Sequence, residues 1–115
     1  MRVLFASGDV GGVRAILPII ERCVKGGIDA AFVDNGHISK EAPNHLLRIS
    51  SDAFGSIDQF NNFLFKNDIR VFIFASSLKD STALTLARSM KAHNVPVIHV
   101  LDHWNSYQSR METDG

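Results

Sequence analysis

Cysteine is all but missing from this chain: Cys23 stands alone among 115 residues. No internal disulfide can form, and a reducing, cytoplasmic setting is expected. A net charge is missing too, because 12 basic residues balance 12 acidic ones. No global field then draws the chain to nucleic acid or to an acidic membrane, although a local patch is still allowed. No apolar run approaches the ~18 residues of a membrane-crossing helix. The opening "MRVLFAS" carries a single basic residue and reads as a first strand, not a signal peptide. Repeats and low-complexity tracts are absent. No His/Cys spacing suggests zinc, so no metal and no cofactor is expected.

What is present is alternation. Five apolar runs, Arg2–Ala6, Asp29–Asp34, Leu46–Ser50, Arg70–Ser76 and Val95–Asp102, are separated by helical patterns. The first, fourth and fifth are almost continuously apolar, as in parallel strands covered on both faces. Val13, Ile16, Leu17, Ile20 and Val24 recur at helical spacing, and Gly26-Gly27 ends that helix. Cys23 falls on its apolar face and reads as a small buried hydrophobe. "SIDQ", Ser56 to Gln59, is a capping-box pattern ahead of Phe60, Phe63 and Leu64. "SLKD", Ser77 to Asp80, is another, ahead of Ala83, Leu86, Ala87 and Met90. The polar "NGHISKEAPNH" reads as a loop with at most a short helix.

This order predicts a Rossmann-like, doubly wound, five-stranded parallel sheet in a three-layer α/β/α arrangement, strand order 3-2-1-4-5. Residues 1–103 form the domain and 104–115 a tail or the start of an interdomain connection. In such sheets ligands bind beyond the C-terminal ends of the strands. Five segments meet that edge, Ser7–Gly12, Asp34–His37, Ser50–Asp52, Ser76–Lys79 and Asp102–Asn105, and four of them carry candidate chemistry. "SGDVGG", Ser7 to Gly12, offers Ser7, Gly8, Gly11 and Gly12 between a strand and a helix N-terminus, which favours an anion or leaves a tight turn. It is neither a Walker loop nor GxGxxG, and Asp9 within it opposes a phosphate but is a candidate catalytic group, as are Asp102 and His103. Asp34 closes the second run near the roughly 20-residue spacing of a ribose-binding acid, but Asp34-Asn35-Gly36 equally makes a turn. Ser76 and Ser77 follow the fourth run, either lining a ligand or, through Ser77, capping a helix. "LDHWNSY" ends the set: Asp102 and His103 for acid–base work, Trp104 and Tyr107 for stacking, Arg110 for an anion, or else an aromatic plug. His99, inside the fifth run, reads as a core or helix-facing histidine with a partner. A phosphoacceptor receiver domain is excluded, since the acidic pair after the first strand and the Lys after the fifth are missing.

"LFASGDVGGVRAILPIIERCVKGGIDAAFVD" resembles the start of the two-Rossmann-domain glycosyltransferases of the B-type fold. That group includes the peptidoglycan N-acetylglucosaminyltransferase, lipid A disaccharide synthase and sugar-nucleotide epimerase relatives. The shared pattern is strand, paired glycines (Gly11, Gly12), a helix with an early proline (Pro18), Lys25-Gly26-Gly27, then a second strand. "ASSLKDSTALTLARSMKAHNVPVIHVLDHWNSY" resembles a later stretch of such proteins. The pattern departs at Val13, where the peptidoglycan enzyme has histidine, and at Pro18, two positions further along. Acid–base chemistry from that histidine therefore does not carry over.

The resemblance implies an acceptor-side N-terminal domain, since this family binds its sugar-nucleotide donor mainly through the C-terminal domain. It implies little turnover by this chain alone, a sugar- or phosphate-bearing ligand, and a second Rossmann half in cis or in trans. A homodimer is the other way to cover the cleft edge. A small flavodoxin-like nucleotide-binding or regulatory module without catalysis, or a purely structural partner domain, are the alternatives.

Overall fold

The computed structural model describes residues 1–7, 10–34, 38–43, 45–50, 56–75 and 81–100. Its elements run β1 (Arg2–Ala6), α1 (Val10–Lys25), β2 (Asp29–Asp34), α2 (Ile38–Glu41), β3 (Leu47–Ser50), α3 (Ile57–Asn67), β4 (Ile69–Phe74), α4 (Ser81–Ala92) and β5 (Val97–His99). The strands form one sheet in the order β3-β2-β1-β4-β5, and every pairing is parallel. This is the expected three-layer, Rossmann-like α/β fold. It is not the 2-1-3-4-5 order of flavodoxin-like sheets. The order reverses between β1 and β4, so the switch point lies there.

Strand alternation sorts the core into two layers. Val3, Phe5, Ala30, Phe32 and Ile73 pack with Val13, Ile16 and Ile20 of α1 and Ile38 of α2. Leu4, Ala6, Val33, Phe72 and Phe74 pack with Phe60 and Phe63 of α3 and Leu86 and Met90 of α4. Phe5, Phe32 and Phe72 are fully buried, and each such side chain contributes about 1.5–3 kcal/mol. Cys23 is half-buried against the α1 layer, and that burial pushes its thiol up from the usual range.

Local chemistry sets the helix ends. Ser56 caps α3, its hydroxyl accepting from the Gln59 N–H at 3.1 Å. α1 closes in a Schellman turn: Ile28 N–H donates to Cys23 O and Gly27 N–H to Val24 O, with Gly27 at φ 75°. The residues proposed to cap α4, Ser77 to Asp80, lie outside the described residues.

Two boundaries differ from expectation. α1 begins at Val10, so Gly11 and Gly12 are its first turn rather than a loop. The first N–H groups of a helix need no acceptor within it, so glycine is cheap there and apolar periodicity does not mark it. β5 is short and half-exposed, with Ile98 50% exposed. Pro96 cannot donate to the ladder, although its carbonyl accepts from Phe72 N–H. As an edge strand, β5 is also covered less than β1 and β4. No helix among the described residues is long and apolar enough to cross a membrane.

Candidate functional site

β1 and β4 stay paired to their C-terminal ends, where Ala75 N–H donates to Ala6 O at 3.2 Å. Ser7 follows at once. It is 1% exposed, and its hydroxyl has no hydrogen-bond partner among the described residues. Alternation puts Ser7 on the face of Val3 and Phe5, the face that α1 covers. A buried hydroxyl left unpaired costs about 1–3 kcal/mol, so its presence calls for a reason.

The first turn of α1 stands next to it in the chain. Gly11 is exposed and Gly12 buried, and neither has the positive φ that would demand glycine. The first turn holds no acidic residue, whereas the last holds Arg22 and Lys25. The basic residues offset the negative end of the helix dipole, and no described side chain in the first turn offsets the positive end. Ser7, Gly11 and Gly12 are thus brought together beside the switch point. A donor hydroxyl, a helix N-terminus and absent side chains suit an anionic or hydroxyl-rich group approaching closely.

Asp34 lies at the same edge, at the end of β2. Its carboxylate accepts from Arg48 of β3 at 3.1 Å, and the Arg48 guanidinium sits 4.8 Å from the Phe32 ring centre. Parallel pairing of Phe32 with Arg48 and of Asp34 with Ser50 places Asp34 and Arg48 on one face. Asp34 is therefore held by Arg48, whatever else it binds. Arg48 carries no motif, and only strand register points to it. Gly8, Asp9, Ser76, Ser77, Asp102, His103, Trp104, Tyr107 and Arg110 lie outside the described residues, as does the turn at Asn35-Gly36. His99 is half-buried on the α3/α4 face and stacks on Phe74 with ring centres 4.5 Å apart.

Two cavities lie elsewhere among the described residues. One, of about 310 Å³, sits at the N-terminal edge of the sheet between Arg2, Ile28, His45 and Leu47. The other, of about 450 Å³, runs between β3 and α3. No group of His, Cys, Asp and Glu among the described residues could hold a metal ion. No protein family, curated protein or solved structure matches this chain.

Proposed function

We propose that this chain is the N-terminal, acceptor-side half of a B-type glycosyltransferase-like protein, and that it binds a sugar- or phosphate-bearing molecule at the β1/β4 edge. The observation that carries the reading is the buried Ser7 hydroxyl, without a hydrogen-bond partner among the described residues, beside the N-terminus of α1. An anionic or hydroxyl oxygen at that point would accept from Ser7 and face the positive end of the helix. The glycines at 11 and 12 keep side chains out of its way. The likeness of Leu4 to Asp34 to the family's first strand, helix and second strand supplies the substrate class.

In this reading the domain forms one wall of a cleft and a second Rossmann half, in cis or in trans, forms the other. Donor binding and most of the chemistry then belong to that second half, in the reducing interior of the cell. One wall cannot bury most of a ligand's surface. A nucleotide sugar should therefore bind the isolated chain with a dissociation constant weaker than roughly 0.1 mM.

Calorimetry decides between the readings, using inorganic phosphate, sugar phosphates and a nucleotide sugar on wild type and Ser7→Ala. The proposal expects measurable binding of a phosphate-bearing probe that Ser7→Ala weakens, and weak nucleotide-sugar binding. Micromolar binding of a nucleotide sugar to the monomer would overturn the half-enzyme reading in favour of a non-catalytic nucleotide module.

A further inference from the structure

Right-handed crossovers leave one part of the sheet short of cover. The steps from β1 to β2 and from β2 to β3 run toward one edge, so α1 and α2 lie on one face. The steps from β3 to β4 and from β4 to β5 run the other way, so α3 and α4 lie on the opposite face. On the α1 face, β4 and β5 therefore have no crossover helix of their own among the described residues. Ile98, which pairs with Ile73 on that face, is 50% exposed, and Val71 and Val100 are only half-buried.

α1 forms the wall beside this open stretch. One flank carries Val24, which lines the cavity toward Leu47 of β3. Helical spacing puts Ile19 and Cys23 on the other flank, toward β4, and both are half-buried. The result is an apolar trough, walled by Ile19 and Cys23 and floored by Val71, Ile98 and Val100.

The chain that follows β5 matches the trough. Val100 N–H still donates to Phe74 O at 2.8 Å, so the chain leaves the sheet at the C-terminal end of β5, at the mouth of the open stretch. It continues as "LDHWNSYQSRMETDG", which lies outside the described residues. Trp104, Tyr107 and Met111 recur at i, i+3 and i+7, every residue between them is polar, and Asp102 is a favoured N-cap type just ahead. Trp104 to Met111 covers about 10 Å at 1.5 Å per helical residue. Val71 lies level with Pro96, so the floor from there to Val100 is about 13 Å long at 3.3 Å per strand residue.

We propose that residues 103–112 form a helix that docks in this trough of the same molecule, parallel to α1. Trp104 covers Val100, Tyr107 covers Ile98, and Met111 reaches toward Val71 and Cys23. So short a helix falls below the roughly 12–15 residues that hold in water alone, so it forms only as it docks. The proposal gives Trp104 and Tyr107 to the fold rather than to a ligand, and it does not rest on the Ser7 reading above.

Trp104 is the only tryptophan and Cys23 the only cysteine, so each reports one side of the contact in the full chain. Acrylamide should quench Trp104 fluorescence about 3-fold less in wild type than in the urea-unfolded chain. Met111→Glu and Ile98→Glu should each raise that quenching and speed labelling of Cys23 by a thiol reagent about 5-fold or more. Ser106→Glu, on the opposite side of the helix from the stripe, should change neither. Circular dichroism checks that the sheet and its four helices survive in each variant, and Met111 lies outside the described core. Trp104 as quenchable in the folded chain as in urea overturns the proposal. So does Cys23 labelling indifferent to Met111→Glu, or a Ser106→Glu variant that behaves like the stripe variants. Protection that appears only as protein concentration rises overturns it too, because a second copy would then cover the trough.

Discussion

Replacing Ser7 with alanine removes one buried oxygen and leaves the backbone of β1 and the surrounding apolar side chains in place. In most proteins, losing a buried hydroxyl costs stability because a hydrogen bond goes with it. Here the described residues make no such bond. With no partner among the described residues, folding strips the hydroxyl of water, a cost of about 1–3 kcal/mol that alanine would not bear. Against that stands the small void left by the oxygen, whose lost contacts offset part of the gain. The balance favours Ser7→Ala by roughly 1 kcal/mol, an upward shift in Tm of about 4 °C for a domain near this size. Differential scanning calorimetry of the ligand-free chain reads this directly.

The same samples should respond oppositely to ligand. A saturating ligand that binds only the folded state raises its stability, by about 2.7 kcal/mol at 100 times its dissociation constant. If Ser7 donates to that ligand, inorganic phosphate or a sugar phosphate should raise the Tm of wild type more than that of Ser7→Ala. A variant more stable alone and less responsive to phosphate shows a residue kept for binding at the expense of stability. A Tm that falls by several degrees in Ser7→Ala without ligand would refute the reasoning, because the hydroxyl would then hold the fold together.

Gly27→Ala should cost about 1 kcal/mol by urea denaturation, since φ is 75° and a Cβ there meets nothing within 4 Å, leaving backbone strain as the whole cost. Asn94→Ala, at φ 62°, should lose a similar amount. Asp68 is held below its ordinary carboxylate value by hydrogen bonds from Arg70 and then from the N-terminal ammonium. A lowered pKa adds stability above the ordinary carboxylate range, and it is lost as pH falls through the folded-state value. Asp68→Asn should therefore lower Tm slightly at neutral pH, and the difference should shrink as pH falls below the ordinary carboxylate range and vanish once folded-state Asp68 is protonated. Phe72→Ala empties a fully buried site between the layers and should cost about 3–5 kcal/mol in the same denaturation assay.

Much of the fold could be read from the chain because its local signals agree. β1 and β2 begin and end where the apolar runs do, Gly26-Gly27 closes α1, and Ser56 caps α3. What escaped reading depends on neighbours brought by the tertiary fold. Apolar spacing marks the buried face of α1 from Val13 onward and is silent on a first turn made of glycines. Ser7 looks like any serine after a strand, and its meaning comes from burial without a partner. The Asp34–Arg48 pair needs the β2/β3 register. Most of the proposed edge, Gly8, Asp9, Ser76, Ser77, Asp102, His103, Trp104 and Tyr107, lies outside the described residues, so those candidates stand on sequence alone.

The two ends of the sheet differ in a way that favours the β1/β4 edge over the open cavity at the N-terminal edge. At the N-terminal edge the polar groups bind one another. The Met1 ammonium and Arg70 both reach the Asp68 carboxylate, at 3.0 and 2.7 Å. Arg2 N–H donates to Asp68 O, and the Arg2 guanidinium donates to Asn67 at 3.2 Å. Gly27 and Ile28 satisfy the carbonyls at the end of α1. Such an edge is already satisfied by its own groups, and a ligand in the adjoining cavity would compete with bonds in place. At the C-terminal edge a buried hydroxyl has no partner among the described residues, beside a helix N-terminus with no described countercharge in its first turn. A ligand there gains a hydrogen bond that nothing described has to give up, and it relieves the cost of the buried hydroxyl. Unmet hydrogen-bonding capacity among the described residues favours the end where strand order reverses.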